Sequence, residues 1–379
     1  MGGALLFRGG QELERRGLGC QGVSAPAIPP ASPVVAAQQQ AFAEALSTFR
    51  PGAPAAILAH NDADGLSSGA LLVRGLARAG VEAGVRLVGR GETAWSETVA
   101  AELRARAPGG LVVADLGVRA EPVLDGVPTI LVDHHVPQGR PEAATLVTGY
   151  GEEPTPSTSL LGLRCLGGVA AVDDLLWLAA LGLIGDYGDK APFAELQAAK
   201  ARHGAKTLRE ATSLINAPRR SSHGDARPAL DLLLRAGGPE EIVSGEHPET
   251  GQLQAARDEV KAELDAARRL APRFAGEVAL IEMRSPCQIH PLVAQSWTGR
   301  LRRQVVIAAN TGFSQGLVHF AARSAMKRNL IAFLRERSPP GADPRHFGQG
   351  HEGASGGIVP PDIWAAFLER LGFARREGP

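Results

Sequence analysis

The sequence predicts an α/β protein: a parallel-sheet N-terminal unit with helices on both faces, a helical linker, and a smaller α/β C-terminal unit. Three observations carry this. Between Pro51 and Val132 short apolar runs alternate with amphipathic segments, the pattern of βαβ units. From Ser157 to Ala271 the strand signal stops and helical periodicity takes over. From Val278 onward alternation returns. At 379 residues the chain has room for two units.

The elements follow in order. Residues 1–45 read as a tail and the start of a first helix, because Pro26, Pro29 and Pro30 interrupt any periodicity before a helical pattern from Ala36 to Phe49. The first unit, 46–200, offers strands at Ala55–Ala59, Val85–Val88, Leu111–Ala114 and Thr129–Val132, with helices at Ser67–Ala79 and Trp95–Ala107. Helical segments continue at Leu160–Leu166, Leu175–Ile184, Phe193–His203, Thr207–Ile215 and Arg227–Leu234. The linker, 201–274, ends in a long polar helix near Gly251–Leu270. There Glu259, Glu263, Arg268 and Arg269 form a wet face and Leu253, Val260 and Leu264 a stripe, which suits a connector between units. The last unit, 275–379, offers strands at Val278–Met283, Val305–Ala309 and Leu317–Ala322, and helices at Asn329–Arg337 and Asp362–Leu371.

Composition excludes several classes. Forty Lys plus Arg balance forty Asp plus Glu, so there is no strongly basic coat, although a local basic groove remains open. Cys20, Cys165 and Cys287 are too few and too scattered for a disulfide framework or a cysteine zinc cluster. No apolar run reaches the length of a bilayer span, and the N-terminus lacks the order of a signal peptide. The expectation is a soluble, cytoplasmic protein without a membrane partner.

Chemistry concentrates after the strands. His60-Asn61-Asp62-Ala63-Asp64-Gly65 follows the first strand, Asp115 another, and Asp133-His134-His135 the next. Asp186 follows the apolar run Leu181–Gly185. Strand carboxyl ends line the ligand crevice of an open parallel sheet. Carboxylates and imidazoles gathered there suit Mn²⁺ or Mg²⁺. Two such ions sharing a carboxylate clamp a phosphoryl group and activate water. A single aspartate after a strand is most often a cap or turn residue, and adjacent histidines are often surface residues. The conjunction of four clusters in one unit separates the two readings.

These four clusters resemble motifs one to four of the DHH phosphoesterase superfamily, which takes its name from the Asp-His-His triplet. A fifth segment, Gly348-Gln349-Gly350-His351-Glu352-Gly353-Ala354-Ser355-Gly356-Gly357, resembles the glycine-rich loop of the DHH-associated C-terminal domain. The resemblance spans roughly residues 50 to 375. It implies two Mn²⁺ ions, with Mg²⁺ as a substitute, held by His60, Asp62, Asp64, Asp115, His134 and Asp186, with Asp115 bridging. His60 stands where RecJ-type nucleases carry Asp and some archaeal relatives His. The pyrophosphatase branch carries its His two residues upstream, where this chain has Leu58. Asp133 is then the partner that holds an imidazole, and His135 faces the substrate phosphate.

The resemblance also implies substrate contacts in the last unit: Arg323, Ser324, Gly350, His351, Gly353, Ala354 and Gly356. The glycines let backbone N–H groups approach phosphate, and the basic excess between Arg284 and Arg345 reads as a basic wall opposite the metals. Leu214–Arg220 followed by Asp225–Leu234 is similar to the stretch joining a RecJ core to its connector helix, making Asn216 and Arg219 candidates for touching the strand. The expectation is a RecJ-like, Mn²⁺-dependent phosphodiesterase that degrades single-stranded DNA or RNA from an end, 5′ to 3′, in DNA repair. Two other readings stay open: a nanoRNase or 3′-phosphoadenosine 5′-phosphate phosphatase acting on very short oligonucleotides, and a non-catalytic DHH scaffold in replication or repair.

Overall fold

The computed structural model describes residues 32–374, the His351 side chain excepted. The expected tail therefore falls outside the described residues, except for its last part. That part begins α1 (Pro33–Leu46), started by the Ser32 cap and a proline in the first turn. The first sheet is built from β1 (Ala55–Ala59), α2 (Ala63–Arg78), β2 (Ala83–Leu87), α3 (Glu97–Ala105), β3 (Gly110–Ala114), β4 (Thr129–Asp133) and β5 (Ala144–Thr148). All its strand pairs are parallel, in the order β2-β1-β3-β4-β5. The order reverses between β1 and β3, and that switch point is where such a sheet opens a crevice.

Residue alternation explains the layers. Ile57, Ala59, Val112, Ala114, Ile130 and Val132 face one core together with α2. Ala56, Leu58, Leu111, Val113 and Leu131 face the other, where Val99 and Leu103 of α3 cover them. The expected helices on both faces are present. β5 escaped the sequence reading because it is a short edge strand with four of its five residues half-exposed.

The all-helical stretch runs through α4 (Thr158–Leu166), α5 (Leu176–Tyr187), α6 (Ala194–His203), α7 (Ala205–Asn216), α8 (Arg227–Arg235), α9 (Pro239–Ser244) and α10 (Pro248–Ala267). Of the expected stripe on α10, Leu253 lies in the first core, while Val260 and Ala267 lie in a core of the second sheet with Leu264 packed against it. One helix thus belongs to both interiors.

The second sheet contains β6 (Arg273–Ala275), β7 (Val278–Met283), α11 (His290–Thr298), β8 (Val305–Ser314), β9 (Leu317–Ser324), α12 (Leu330–Glu336), β10 (Phe347–His351), β11 (Ala354–Val359) and α13 (Pro361–Arg370). Its order is β10-β11-β9-β8-β7-β6, with β7 and β8 parallel and the other pairs antiparallel. The glycine-rich segment expected to be an anion-binding loop is the β10–β11 hairpin. Gly356 serves strand packing, since a Cβ there would sit 2.3 Å from the Phe320 carbonyl oxygen. α11 was missed because it begins at His290-Pro291, which reads as a turn and is equally a helix start.

Candidate metal centre and the adjoining cationic pocket

Each functional side chain is aimed by a local backbone device. After β1 the chain turns into α2, and Asp62 caps that helix by accepting the Gly65 N–H at 3.1 Å. After β3, Asp115 takes a left-handed conformation, φ 63°, unusual outside glycine and typical of residues held for function. Asp133 closes β4 and accepts the Gly117 N–H at 2.8 Å and the His135 N–H at 2.8 Å. Asp186 lies in the last turn of α5.

The result is one cluster. His60 Nδ1 lies 3.0 Å from Asp62 Oδ2 and 3.5 Å from Asp115 Oδ2. His134 Nε2 lies 3.5 Å from both Asp115 Oδ1 and Asp186 Oδ2. Donor atoms fall into three compact sets: His60, Asp62 and Asp115; Asp64, His134 and Asp186; and Asp115, His134 and His135. Asp115 presents a different oxygen to each side, so one carboxylate faces both donor sets.

Electrostatics explain what the cluster needs. Burial and the Asp115 charge push Asp64 up to about 6. Burial, Asp64 and Asp115 hold Asp186 well above the ordinary carboxylate range. Burial alone would lower both imidazoles. Against it, Asp62 and Asp115 raise His60 to about 10, and Asp115 and Asp64 raise His134 to about 9. Burial also opposes ionisation of Asp62, yet His60 and Arg219 carry it well below its usual range. Crowded carboxylates that repel one another and borrow histidine protons fit divalent cations, and their O and N donors suit Mn²⁺ and Mg²⁺.

The supporting groups were not visible in the sequence. Asp64 is fully buried and accepts the Thr158 N–H at 2.7 Å and the Ser159 N–H at 3.0 Å, at the start of α4. Each of its oxygens keeps another lone pair for a metal. Thr158 Oγ1 donates to Asp115 at 3.2 Å. Tyr187 Oη lies 3.0 Å from His134 Nδ1, which fixes the ring with Nε2 toward the carboxylates. Asp133 Oδ1 lies 3.0 Å from His135 Nδ1, and burial of Asp133 is overcome by that contact, keeping the carboxyl ionised.

The second sheet brings Arg323 close. β11 runs antiparallel to β9 with Ala354 opposite Arg323 and Gly356 opposite Ala321, while Gly350 pairs with Ser355. Gly353 sits in the hairpin turn between His351 and Ala354. The His351 side chain lies outside the described residues. Ser324 gives its one hydroxyl proton to the Gln304 carbonyl and accepts the Met326 N–H, so it shapes the turn after β9. The basic residues expected to make a wall disperse. Arg328 and Arg337 stack on Phe333 and pair with Glu277, Arg300 lies over Trp297, and Arg345 pairs with Asp343.

A different cationic pocket forms where the linker meets the second sheet. Burial and the neighbouring Arg219 and Arg323 depress Arg220, whose Nη1 is buried with no hydrogen-bond partner among the described residues. Burial, His319 and Arg220 lower His290 to about 3, and burial with Arg90 lowers His319 to about 4, so both rings are neutral. His290 Nδ1, His319 Nε2, Arg219 Nε and Asn216 Oδ1 are likewise buried without such partners. Arg90 crosses to this side, stacking 4.0 Å over Phe313 and donating to the Ser221 carbonyl at 2.8 Å. Guanidinium groups stay charged, so positive charge gathers here, with Asp62 the carboxylate that acts on Arg220 and no hydrogen-bond partner on its Nη1 among the described residues. Arg219 itself points the other way and pairs with Asp62 at 3.3 Å.

A five-stranded parallel sheet with this cluster at its switch point, joined by helices to a mixed second sheet, is the DHH fold. Within it the architecture is RecJ-like. RecJ from Thermus thermophilus in complex with Mn²⁺ superposes with a TM-score of 0.65 at 21% identity, over 93% of this chain and 56% of that one. The chain thus spans about half the length of the Thermus protein. An exonuclease RecJ bound to manganese gives 0.64 at 20% identity, over 93% of this chain and 97% of that one. The DHH domain of a member of the s1p family of ribosomal proteins gives 0.65 at 14%, over 92% and 94%. No family model and no curated protein matches the sequence. No helix among the described residues is long and apolar enough to cross a membrane.

Proposed function

We propose that the protein is a two-metal phosphodiesterase that shortens single-stranded nucleic acid from its 5′ end and releases 5′-mononucleotides. The observation that carries the reading is the gathering of Arg220 and Arg323, which act on one another electrostatically, beside Arg219, which pairs with Asp62 of the carboxylate cluster. A strand anchored there by its terminal phosphate lays its next phosphodiester toward the carboxylates.

His60, Asp62 and Asp115 would hold one ion, and Asp64, His134 and Asp186 the other; Asp115, 3.5 Å from His134, would be the carboxylate nearest to both. Two Mn²⁺ ions held there supply Lewis acidity and an activated water. Tyr187 and Asp133 lock the two imidazoles, so His135 meets the phosphoryl oxygens in one orientation. Asn216, whose Oδ1 is buried without a hydrogen-bond partner among the described residues, is assigned to the strand as well. The exonuclease RecJ bound to manganese, matched over nearly the full length of both chains, supports this choice of substrate and metal.

The test is a length series of 3′-labelled DNA and RNA oligonucleotides in Mn²⁺, carrying either a 5′-phosphate or a 5′-hydroxyl. Mononucleotides leaving first from the 5′ end, faster with phosphate, are expected. Shortening from the 3′ end with indifference to the 5′ group rejects the reading. Activity confined to di- and trinucleotides would select the nanoRNase alternative.

A further inference from the structure

Asp62 has three partners, two of them on one oxygen. Oδ1 caps α2 through the Gly65 N–H. Oδ2 lies 3.0 Å from His60 Nδ1 and 3.3 Å from Arg219 Nη1. A carboxylate oxygen offers two lone pairs, and these two neighbours take both. His60 is a donor of the same ion set and gives up its proton when it binds metal, which frees one of those lone pairs. Arg219 stays as a cation beside Oδ2 and opposes a divalent ion there.

Arg219 cannot leave for nothing. Its side chain is only 15% exposed, and its Nε is already buried without a partner among the described residues. Arg220 is a second cation acting on it, and Arg323 a third acting on Arg220. Pushed off Asp62, the guanidinium enters a pocket that repels it, unless an anion has arrived there. A terminal phosphate supplies that anion, and arginine binds it with paired N–H donors.

We infer that Arg219 couples the two sites. Without a terminal phosphate it competes with the cation for Asp62; with one, it is drawn off Asp62 and onto the phosphate. This rests on the two-metal reading above. Linkage makes the effect reciprocal: whatever factor the phosphate adds to cation affinity, the cation adds to phosphate affinity. Full metal loading then waits for a substrate with the right end group.

The test is a Mn²⁺ titration of the full chain, followed by the electron paramagnetic resonance signal of free Mn²⁺. It is run alone, with thymidine 5′-monophosphate, and with thymidine. In the wild-type protein the nucleotide should tighten the weaker Mn²⁺ site by about five-fold or more, and the nucleoside should not. Arg219→Gln should bind the weaker Mn²⁺ more tightly without nucleotide and lose most of the tightening. Equal affinity of wild type and Arg219→Gln in the absence of nucleotide overturns the inference, as does full tightening that persists in the variant. The nucleotide–nucleoside comparison in the wild-type protein stands independently of how the variant folds. Two Mn²⁺ bound without coupling would reject Arg219's role and leave the two-metal reading intact. A wild type that binds a single Mn²⁺ under every condition overturns both.

Discussion

Gly182 is the floor beneath Asp64: a Cβ built on it would lie 2.2 Å from Asp64 Oδ1 and 2.0 Å from Ser159 Oγ. α5 approaches the carboxylate this closely only because it has no side chain at that position. Gly182→Ala should therefore displace Asp64 from the Thr158 and Ser159 amides, weaken Mn²⁺ binding, and lower stability by about 1–3 kcal/mol. Gly251→Ala is the control, since a Cβ there meets nothing within 4 Å on α10. It should stabilise by about 0.5–1 kcal/mol in denaturant unfolding with Mn²⁺ uptake unchanged.

Asp115→Asn should abolish turnover and keep the fold. Asparagine tolerates the left-handed backbone found at this position, so the strand end is not disturbed. It lacks the charge that faces His60 on one side and His134 on the other. Circular dichroism and thermal melting should match wild type without metal. Turnover within a few-fold of wild type would reject Asp115 as the shared ligand.

Tyr187→Phe removes the hydroxyl that holds His134 Nδ1. Loss of such an orienting partner typically costs about 10–100-fold in metal affinity or activity. The readout is Mn²⁺ affinity as well as rate, and extra Mn²⁺ should restore part of the rate. A purely structural tyrosine would show a lowered melting temperature with normal affinity instead.

Metal binding should be strongly pH-dependent. His60 and His134 hold protons up to about 10 and about 9, and Asp64 up to about 6, in the metal-free protein. Those protons must leave before the ligands can bind metal, so affinity rises with pH. The sign for stability differs by group. The raised Asp64 contributes stability that is full below about pH 4 and lost as pH climbs through about 6. The two histidines contribute stability that is full below about 6.5 and persists until pH passes their raised values. The gain in melting temperature from added Mn²⁺ should therefore grow between about pH 6 and pH 9. A gain that shrinks over that interval would contradict the proton inventory.

Arg323→Ala should erase most of the advantage of a 5′-phosphorylated strand over a 5′-hydroxyl one. Arg220→Ala should do the same, because both define one pocket. Raising salt should narrow the difference in the wild-type protein, since charge is what is recognised. Rates on both substrates, compared at two ionic strengths, decide the point.

Much of this site was legible because its residues follow strands. Asp62, Asp115 and His134 lie immediately beyond apolar runs whose period is plain, and the strand order gathers those ends at one place. Asp186 was legible only through its neighbours, since it ends a helix instead of a strand. The holders were not legible. Thr158 and Ser159 act through backbone N–H groups, which no residue type announces, and Tyr187 acts across a fold contact. That the glycine-rich segment forms a hairpin was not legible, because glycine serves both anion binding and close strand packing, as at Gly356 against the Phe320 carbonyl. Arg220, His290 and His319 meet only in three dimensions, and the pairing of Arg219 with Asp62 was equally hidden in the sequence.

The helix shared by both cores has a consequence for how such a protein could change its product. From Leu253 to Ala267, α10 advances about 1.5 Å per residue between two packed interiors, so its length and phase bear on how far Arg323, on the second sheet, stands from the carboxylates. Removing one turn would draw them together by about 5.4 Å, while removing one residue would swing one interior by about 100° relative to the other. Only whole-turn changes keep both interiors packed. For the strand-shortening activity proposed above, the size of the fragment would then be stepped, and the dial that sets it would be a helix outside the carboxylate cluster.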